Sequence, residues 1–390
     1  MDFDSVLDRR GTGSTKWDRM ESIYDVCSDE GIAMWVADMD FRSPDVITRR
    51  LRKEVEGGLF GYTNIDEEYR SAICWWMQNR HGWSIEPDWI FTTTGIVNAV
   101  GLCLDVYTKP GDEIILFTPV YHAFAKIIRA AGRTVRELPL SIRDGRFEMD
   151  FDSYDAMLSG SETMVILCSP HNPGGTVWRQ DELTALADFA KRHDLMLVSD
   201  EIHHDLVFAG HKHIPMAMAD PSISDRLLML TAPSKTFNVA GLHTGNVIIP
   251  DPGLRKRFAD RINGLSLSGN SLGQIALMSA YSPEGAEWVD ALVAYLDKNR
   301  QVFDATIDAI PGLSSMHLEA TYLSWVDFSA TGMSPREFLD RIEQTAKIAV
   351  NHGDSFGLGG EYCARFNIGT CRSRVEEACA RLKDAFSDLQ

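Results

Sequence analysis

Basic residues are what this 390-residue chain is short of: 38 Lys and Arg stand against 56 Asp and Glu, a formal net charge of −18. A field of that sign repels a phosphate backbone or an anionic lipid surface, so neither nucleic acid nor membrane is an expected partner. An anionic ligand would have to be held by local cations and backbone amides. Cysteine is sparse as well. Cys27, Cys74, Cys103, Cys168, Cys363, Cys371 and Cys379 are odd in number and show no CxxC spacing, which argues against a disulfide framework and a thiolate metal site. No metal is expected. No apolar run is long enough to span a bilayer, and the opening MDFDSVLDRRG is acidic without the apolar stretch of a signal peptide. A cytoplasmic protein is the expectation. Internal repeats and low-complexity tracts are missing too.

What is present is ordinary globular composition, 44% apolar and 24% charged, at a length that suggests two domains and a large core. Residues 1–45 read as an extended arm that belongs in part to the second domain, with a short strand over Trp35–Phe41. Residues 46–285 read as a large domain. Ser43-Pro44 starts a helix that Gly57-Gly58 ends, and a second helix carries Tyr69, Ile73 and Trp76 to Gly82. Short apolar runs then alternate with helical periodicity: strands near 91–94, 114–117, 164–168, 195–198, 227–230 and 247–249, with helices opening at Gly95 and spanning Leu183, Leu186 and Ala190. That alternation predicts an α/β fold with a mostly parallel sheet covered on both faces. Residues 286–390 read as a smaller α+β domain, with a long helix over Ala286–Ile310, strands at 322–327 and 365–368, a helix over 335–346 and a closing helix.

The chemistry concentrates where strands end. Leu227–Leu230 has the texture of a strand buried on both faces, and Pro233 forbids its continuation, which leaves Lys235 on the loop past its carboxyl end. Open α/β sheets bind ligands at that end, and an amine held there loses hydration and becomes a Schiff-base former. A lone lysine after a strand is ordinarily a surface residue. Here Tyr121, Asn172 and Asp200 stand at the ends of other strands: a ring for stacking, an amide donor, and a carboxylate for a ring nitrogen. Gly95-Ile96-Val97 opens a helix whose free N–H groups suit a phosphate. Each is explicable as a core aromatic or a turn residue; together they fit one aromatic, phosphorylated cofactor.

Ser169-Pro170-His171-Asn172-Pro173-Gly174-Gly175, Ser199-Asp200-Glu201-Ile202-His203 and Ser234-Lys235-Thr236-Phe237-Asn238 resemble the motifs of fold type I pyridoxal-phosphate enzymes, with their seven-stranded-type sheet. Trp35–Phe41, Phe60-Gly61-Tyr62 and Tyr121-His122-Ala123-Phe124 narrow the resemblance to the MalY/PatB-like cystathionine β-lyases, carbon–sulfur lyases related to the class I/II aminotransferases. The resemblance implies that Lys235 holds pyridoxal 5′-phosphate as a Schiff base and then shuttles protons. Asp200 would keep the pyridine nitrogen protonated, Asn172 bond the phenolate oxygen, and Tyr121 stack on the ring and face the substrate. Gly95, Ile96, Val97 and Ser234 would hold the phosphate, and Tyr62 would reach the phosphate of a neighbouring subunit in a homodimer with shared sites. Arg365 matches the arginine that grips the substrate α-carboxylate; otherwise it would be a surface ion-pair residue. Two positions depart from the aminotransferase pattern: His243 stands where an arginine pairs the phosphate, and His203 where a tyrosine is usual. His203 either touches the cofactor or is a packed histidine. Both departures tilt toward lyase chemistry.

The implied reaction is β-elimination from a sulfur amino acid: L-cystathionine or a related cysteine S-conjugate would give thiol (homocysteine), pyruvate and ammonia. The alternative on the same scaffold is a pyridoxal-phosphate-dependent aminotransferase.

Overall fold

The computed structural model describes residues 1–389; Gln390, the last position of the expected second domain, lies outside the described residues. A seven-stranded sheet dominates. Across it the strands run Ile90–Thr93, Gly245–Ile248, Leu227–Thr231, Met196–Asp200, Glu162–Cys168, Glu113–Thr118 and Thr134–Pro139. All run parallel except Gly245–Ile248, which is antiparallel to both neighbours. The expected strands are therefore present, shifted by a residue or two at their ends. Thr134–Pro139 is an edge strand of half-buried residues whose mixed texture carries no apolar run.

Alternate residues feed opposite faces, as a pleated strand requires. Ile115, Phe117, Leu197, Leu227 and Met229 pack into one core, whereas Ile114, Leu116, Val198, Leu228 and Leu230 pack into the other. A sheet covered on both sides needs such continuous apolar runs. Glu113–Thr118 lies between Thr134–Pro139, which follows it in the chain, and Glu162–Cys168. The strand order reverses there, the place where an open α/β sheet leaves a crevice at its carboxyl edge.

A second, antiparallel sheet orders Ser314–Ser315, Leu323–Asp327, Cys363–Asn367 and Asn351–His352, with Arg365 in register with Trp325. The long helix preceding it runs Pro283–Ile307, with Ser282 accepting from the Gly285 N–H at its start. The expected helix over 335–346 is instead Pro335–Asp340 followed by a wider π-helical turn, Arg341–Thr345. The helices Pro252–Gly264 and Ser271–Ala280 were not anticipated from the sequence. All seven cysteines are free. Among the described residues no helix is long and apolar enough to cross a membrane.

Two expectations for the first 45 residues are corrected. The arm is not merely extended: it forms the short helices Thr15–Asp18 and Met20–Tyr24. Lys16 and Trp17 anchor it by donating to the buried Asp40 carboxylate at 3.0 and 2.9 Å. Nor is Trp35–Phe41 a strand. The two-residue strand here is Ile32–Ala33, paired with Ile348–Ala349, and beyond it side chains take over the work of a ladder. Arg365 donates to Trp35 O, Asn367 to Val36 O and Asp38 O, and Lys235 and Tyr322 to Ala37 O. Asn238 donates to Met39 O and Phe41 O and accepts from the Met39 N–H. With its carbonyls satisfied in this way, the segment needs no neighbouring strand.

Candidate active site

The carboxyl edge of the large sheet closes around a cavity of about 120 Å³, lined among others by Gly95, Ile96, Val97, Tyr121, Asn172, Asp200, His203, Ser234 and Lys235. Nine of the residues anticipated from sequence thus meet in one place. Tyr121 follows Glu113–Thr118, Asn172 follows Glu162–Cys168, Asp200 ends its own strand and Lys235 follows Leu227–Thr231. Neighbouring parallel strands deliver them side by side, and the Tyr121 N–H donates to Asn172 O at 3.1 Å.

Burial sets the electrostatics. Asp200, 3% exposed, has one hydrogen bond to its carboxylate among the described residues, from the Ile202 N–H at 3.1 Å. Loss of hydration pushes its pKa up to about 7, against the opposing pull of that hydrogen bond and of Lys235. Lys235 is half-buried, its Nζ donating to Ala37 O at 2.7 Å. Burial, reinforced by the nearby Arg365 charge, brings its pKa down to about 8. His203 is shut off from water with Nδ1 unpartnered. Burial and then Lys235 and Arg365 hold its pKa well below the usual imidazole value, so it is neutral.

Arg365 does not line the cavity. It stands one residue behind, 2% exposed, donating from Nη1 to Asn172 Oδ1 at 2.9 Å and from Nη2 to Trp35 O at 2.8 Å and to Asn351 Oδ1. Its guanidinium lies 5.0 Å over the Phe356 ring, and Nε has no partner. No carboxylate pairs with it among the described residues, and burial brings its pKa down to about 10. The surface ion pair weighed from sequence is therefore excluded. A buried guanidinium without a counter-ion is costly unless a ligand supplies the anion.

Tyr62 is the anticipated residue that the chain does not bring in. It is fully exposed, beside exposed Leu59 and Phe60, and borders a different groove with Arg70, Asn263 and Gln274. Conversely, Ala37, Thr94, Cys168, Ile202, Ala240 and Thr244 line the cavity and were not anticipated. Cys168 adjoins a quoted motif and Ile202 and Ala37 lie within quoted stretches, and that placement was the available signal. Lys235 and Tyr322 hold Ala37 by its carbonyl, while Asn367 holds the residues on either side of it and Asn238 holds Met39 and Phe41. His243, marked as a departure, does line the cavity and adopts φ +46°.

The residues fit a flat, phosphorylated aromatic cofactor. Asp200 has no ion-pair partner among the described residues, a place that a ring N–H⁺ would fill. Asn172 spends Oδ1 on Arg365, and its Nδ2 has no partner among the described residues. The helix Ile96–Tyr107 begins at Gly95, whose φ of +116° is closed to L side chains. The Gly95 carbonyl is already taken by the Ala99 N–H, while the N–H groups of the first turn point out of the helix end, where the macrodipole favours an anion. Close approach is built in: a Cβ on Gly245 would sit 3.2 Å from Gly95 Cα.

Comparison with known proteins agrees with this geometry. Residues 33–382 match the family described as aminotransferase class I and II. The chain is 38% identical over 390 residues to cystathionine beta-lyase PatB of Bacillus subtilis, covering 99% of this chain and 100% of that one. It is 30% identical to protein MalY of Escherichia coli, covering 98% of each. In structure it is similar to cystalysin from Treponema denticola, which contains pyridoxal 5′-phosphate, with a TM-score of 0.94, 36% identity, and coverage of 100% of this chain and 99% of that chain. The chain therefore belongs to the aminotransferase class I and II family, with the fold type I architecture of its pyridoxal-phosphate enzymes.

Proposed function

We propose that this protein is a pyridoxal 5′-phosphate-dependent carbon–sulfur β-lyase that converts L-cystathionine or a related cysteine S-conjugate, with water, to thiol, pyruvate and ammonia. The observation that carries the reading is the set Lys235, Asp200 and Arg365: an amine with pKa brought down to about 8 and a carboxyl pushed up to about 7, both lining one cavity, with a cation lacking a counter-ion directly behind Asn172 of its wall. Bound pyridoxal phosphate supplies a carbonyl carbon for the substrate amine and a cationic ring that takes up the electron pair left at Cα. The chain does the rest. Lys235 Nζ, able to exchange protons near neutral pH, takes the Cα proton and returns one to the departing sulfur. Asp200 holds the ring proton in place by charge. Arg365 takes the α-carboxylate in its fork and fixes which Cα bond faces Lys235. Asn172, held by Arg365, turns its amide donor to the phenolic oxygen. Tyr121 provides the stacking face and a substrate contact, Ser234 and the Gly95–Val97 amides take the phosphate, and neutral His203 packs beside the ring.

Exposure of Tyr62 with Leu59 and Phe60 supports a homodimer in which Tyr62 of each subunit reaches the phosphate site of the other. We further propose the division into arm (1–45), large cofactor domain (46–285) and small domain (286–390), and a cytoplasmic location. The test is incubation of the cofactor-loaded protein with L-cystathionine and no keto acid, following pyruvate and free thiol together. Continuous, equal release of both is expected, and Lys235→Ala abolishes it. A burst of keto acid that stops until a second keto acid is added would instead mean transamination.

A further inference from the structure

Among the described residues, every group that orients the Arg365 guanidinium is neutral. Nη1 donates to the Asn172 amide, and Nη2 to the Trp35 carbonyl and the Asn351 amide, while the Phe356 ring lies against its face. The phenols near it, Tyr24, Tyr121 and Tyr322, are pushed up by burial and stay protonated. Neutral acceptors fix where the fork points without cancelling its charge. Asn172 lines the cofactor cavity and has a duty there. Asn351 does not line it, so its bond to Arg365 calls for another explanation.

Asn351 and Arg365 stand opposite each other where Asn351–His352 pairs antiparallel with Cys363–Asn367, and opposite residues of such a pair leave the same face of the sheet. The 3₁₀ turn Gly353–Phe356 follows at once and brings Phe356 to the guanidinium. Residues 351–356 therefore supply both an acceptor for the fork and a ring for its face. The Asn351 amide is itself held: Nδ2 donates to Tyr24 Oη at 3.3 Å, which leaves Oδ1 for Arg365. Tyr24 ends the arm helix Met20–Tyr24, and its ring stands edge-on to Trp35 with centroids 5.2 Å apart. The arm thus reaches the fork twice, directly through the Trp35 carbonyl and indirectly through Tyr24 and Asn351.

We propose that Asn351 is a positioning residue for the amino-acid site: held by Tyr24, it aims the Arg365 guanidinium while leaving its positive charge free for the substrate carboxylate. Affinity for an α-carboxylate then depends on an amide outside the cavity and on the arm that orients it. The role rests on Arg365 being the carboxylate grip, and not on what happens to the sulfur afterwards.

The test uses the cofactor-loaded protein and two ligands, L-alanine and ethylamine, which is the same skeleton without the carboxylate. The change in cofactor absorbance on titration gives Kd for each. Asn351→Ala removes the aim and should weaken L-alanine about fivefold. Asn351→Asp is isosteric but cancels the charge, and should weaken it on the order of 100-fold. Tyr24→Phe should weaken it about twofold, and ethylamine should stay within about twofold in all three. In urea denaturation the cofactor-free Asn351→Asp protein is expected to be at least as stable as wild type, because the buried cation gains a counter-ion. A residue that merely held the fold together would then leave L-alanine binding intact in this variant. Unchanged L-alanine affinity in Asn351→Asp, or equal weakening of both ligands, overturns the proposal. Wild type binding ethylamine as tightly as L-alanine would overturn Arg365 as the grip and Asn351 with it. Absence of thiol release from L-cystathionine would overturn the lyase reading alone, since the Kd ratios still decide the role of Asn351.

Discussion

Asp200 and Asp205 belong to one short stretch, both 6% exposed or less, and their surroundings drive them opposite ways. Asp200 stands at the cofactor cavity with a single hydrogen bond to its carboxylate, and burial pushes it up to about 7. Asp205 lies behind, in a cluster with His81, His204 and His213. It accepts from Trp76 Nε1 at 3.1 Å, His81 Nε2 at 2.9 Å and Thr236 Oγ1 at 2.9 Å. His204 Nε2 lies 3.3 Å from Asp205 Oδ2 without hydrogen-bond geometry. Burial alone would raise Asp205, but the His204 and His81 interactions overrule it and hold its pKa well below the carboxylate range. The neighbouring Glu201 is satisfied as well, by His213 Nε2, Ser199 Oγ and the Met216 N–H. A buried group whose partners the protein supplies is structure, whereas a buried group left short of them is waiting for a ligand. Thr236 joins the two regions, because the residue next to Lys235 is held by Asp205.

The comparison breaks first at Asp200. Asp200→Asn should cut turnover about 10²- to 10³-fold, since an amide cannot hold the ring proton electrostatically, while leaving the cofactor-free protein at least as stable. With a folded pKa near 7 against 3.8 unfolded, the folded state binds the proton more tightly. Asp200 therefore makes the cofactor-free protein less stable as pH rises from about 4 to about 7. Lys235, with 8 folded against 10.5 unfolded, does the reverse, and stability recovers from about 8 to about 10.5. Burial lowers the pKa of His81, His171 and His203, each of which adds stability as pH rises through the same acid window, so Asp200 is read by difference. In urea denaturation the stability of wild type relative to Asp200→Asn should fall between about pH 4 and about 7. A pH-independent difference would mean that Asp200 does not titrate as argued.

Asp205→Asn should act the other way, costing about 3–5 kcal/mol of folding stability because it strips a negative charge from among buried histidine, indole and hydroxyl donors. Chemical denaturation measures it, and a loss under about 1 kcal/mol would erase the distinction between the two aspartates. The smallest effect is expected at Arg365. Arg365→Lys keeps the charge but loses the fork that binds Asn172, Trp35 and Asn351 together, and should raise KM for the amino-acid substrate about tenfold with kcat changed less. Equal loss in kcat and kcat/KM would instead mean that the fork acts only in the transition state.

Much of the site was legible beforehand because parallel strands buried on both faces announce themselves as apolar runs, and the residue after each run lands at the carboxyl edge. Tyr121, Asn172, Asp200 and Lys235 were readable for that reason, as was Gly95 at a helix start. The Trp35–Phe41 segment was misread because its apolar and acidic texture mimics a strand. The partners that hold it, Asn238 and Asn367, lie some 200 and 330 residues away.

The sequence by itself determined the main alternation of buried strands and helices in the large domain, the cavity's main residues and the family, because these depend on local periodicity and on short motifs. Only the tertiary structure decided that Arg365 is buried without a counter-ion, that Tyr62 stands away from its own chain's cavity, that Gly245–Ile248 runs antiparallel, and that His81 and His204 meet Asp205 while His213 meets Glu201. Those facts depend on which distant groups meet and on whether water is left between them, and neither is written in the spacing of residues along the chain.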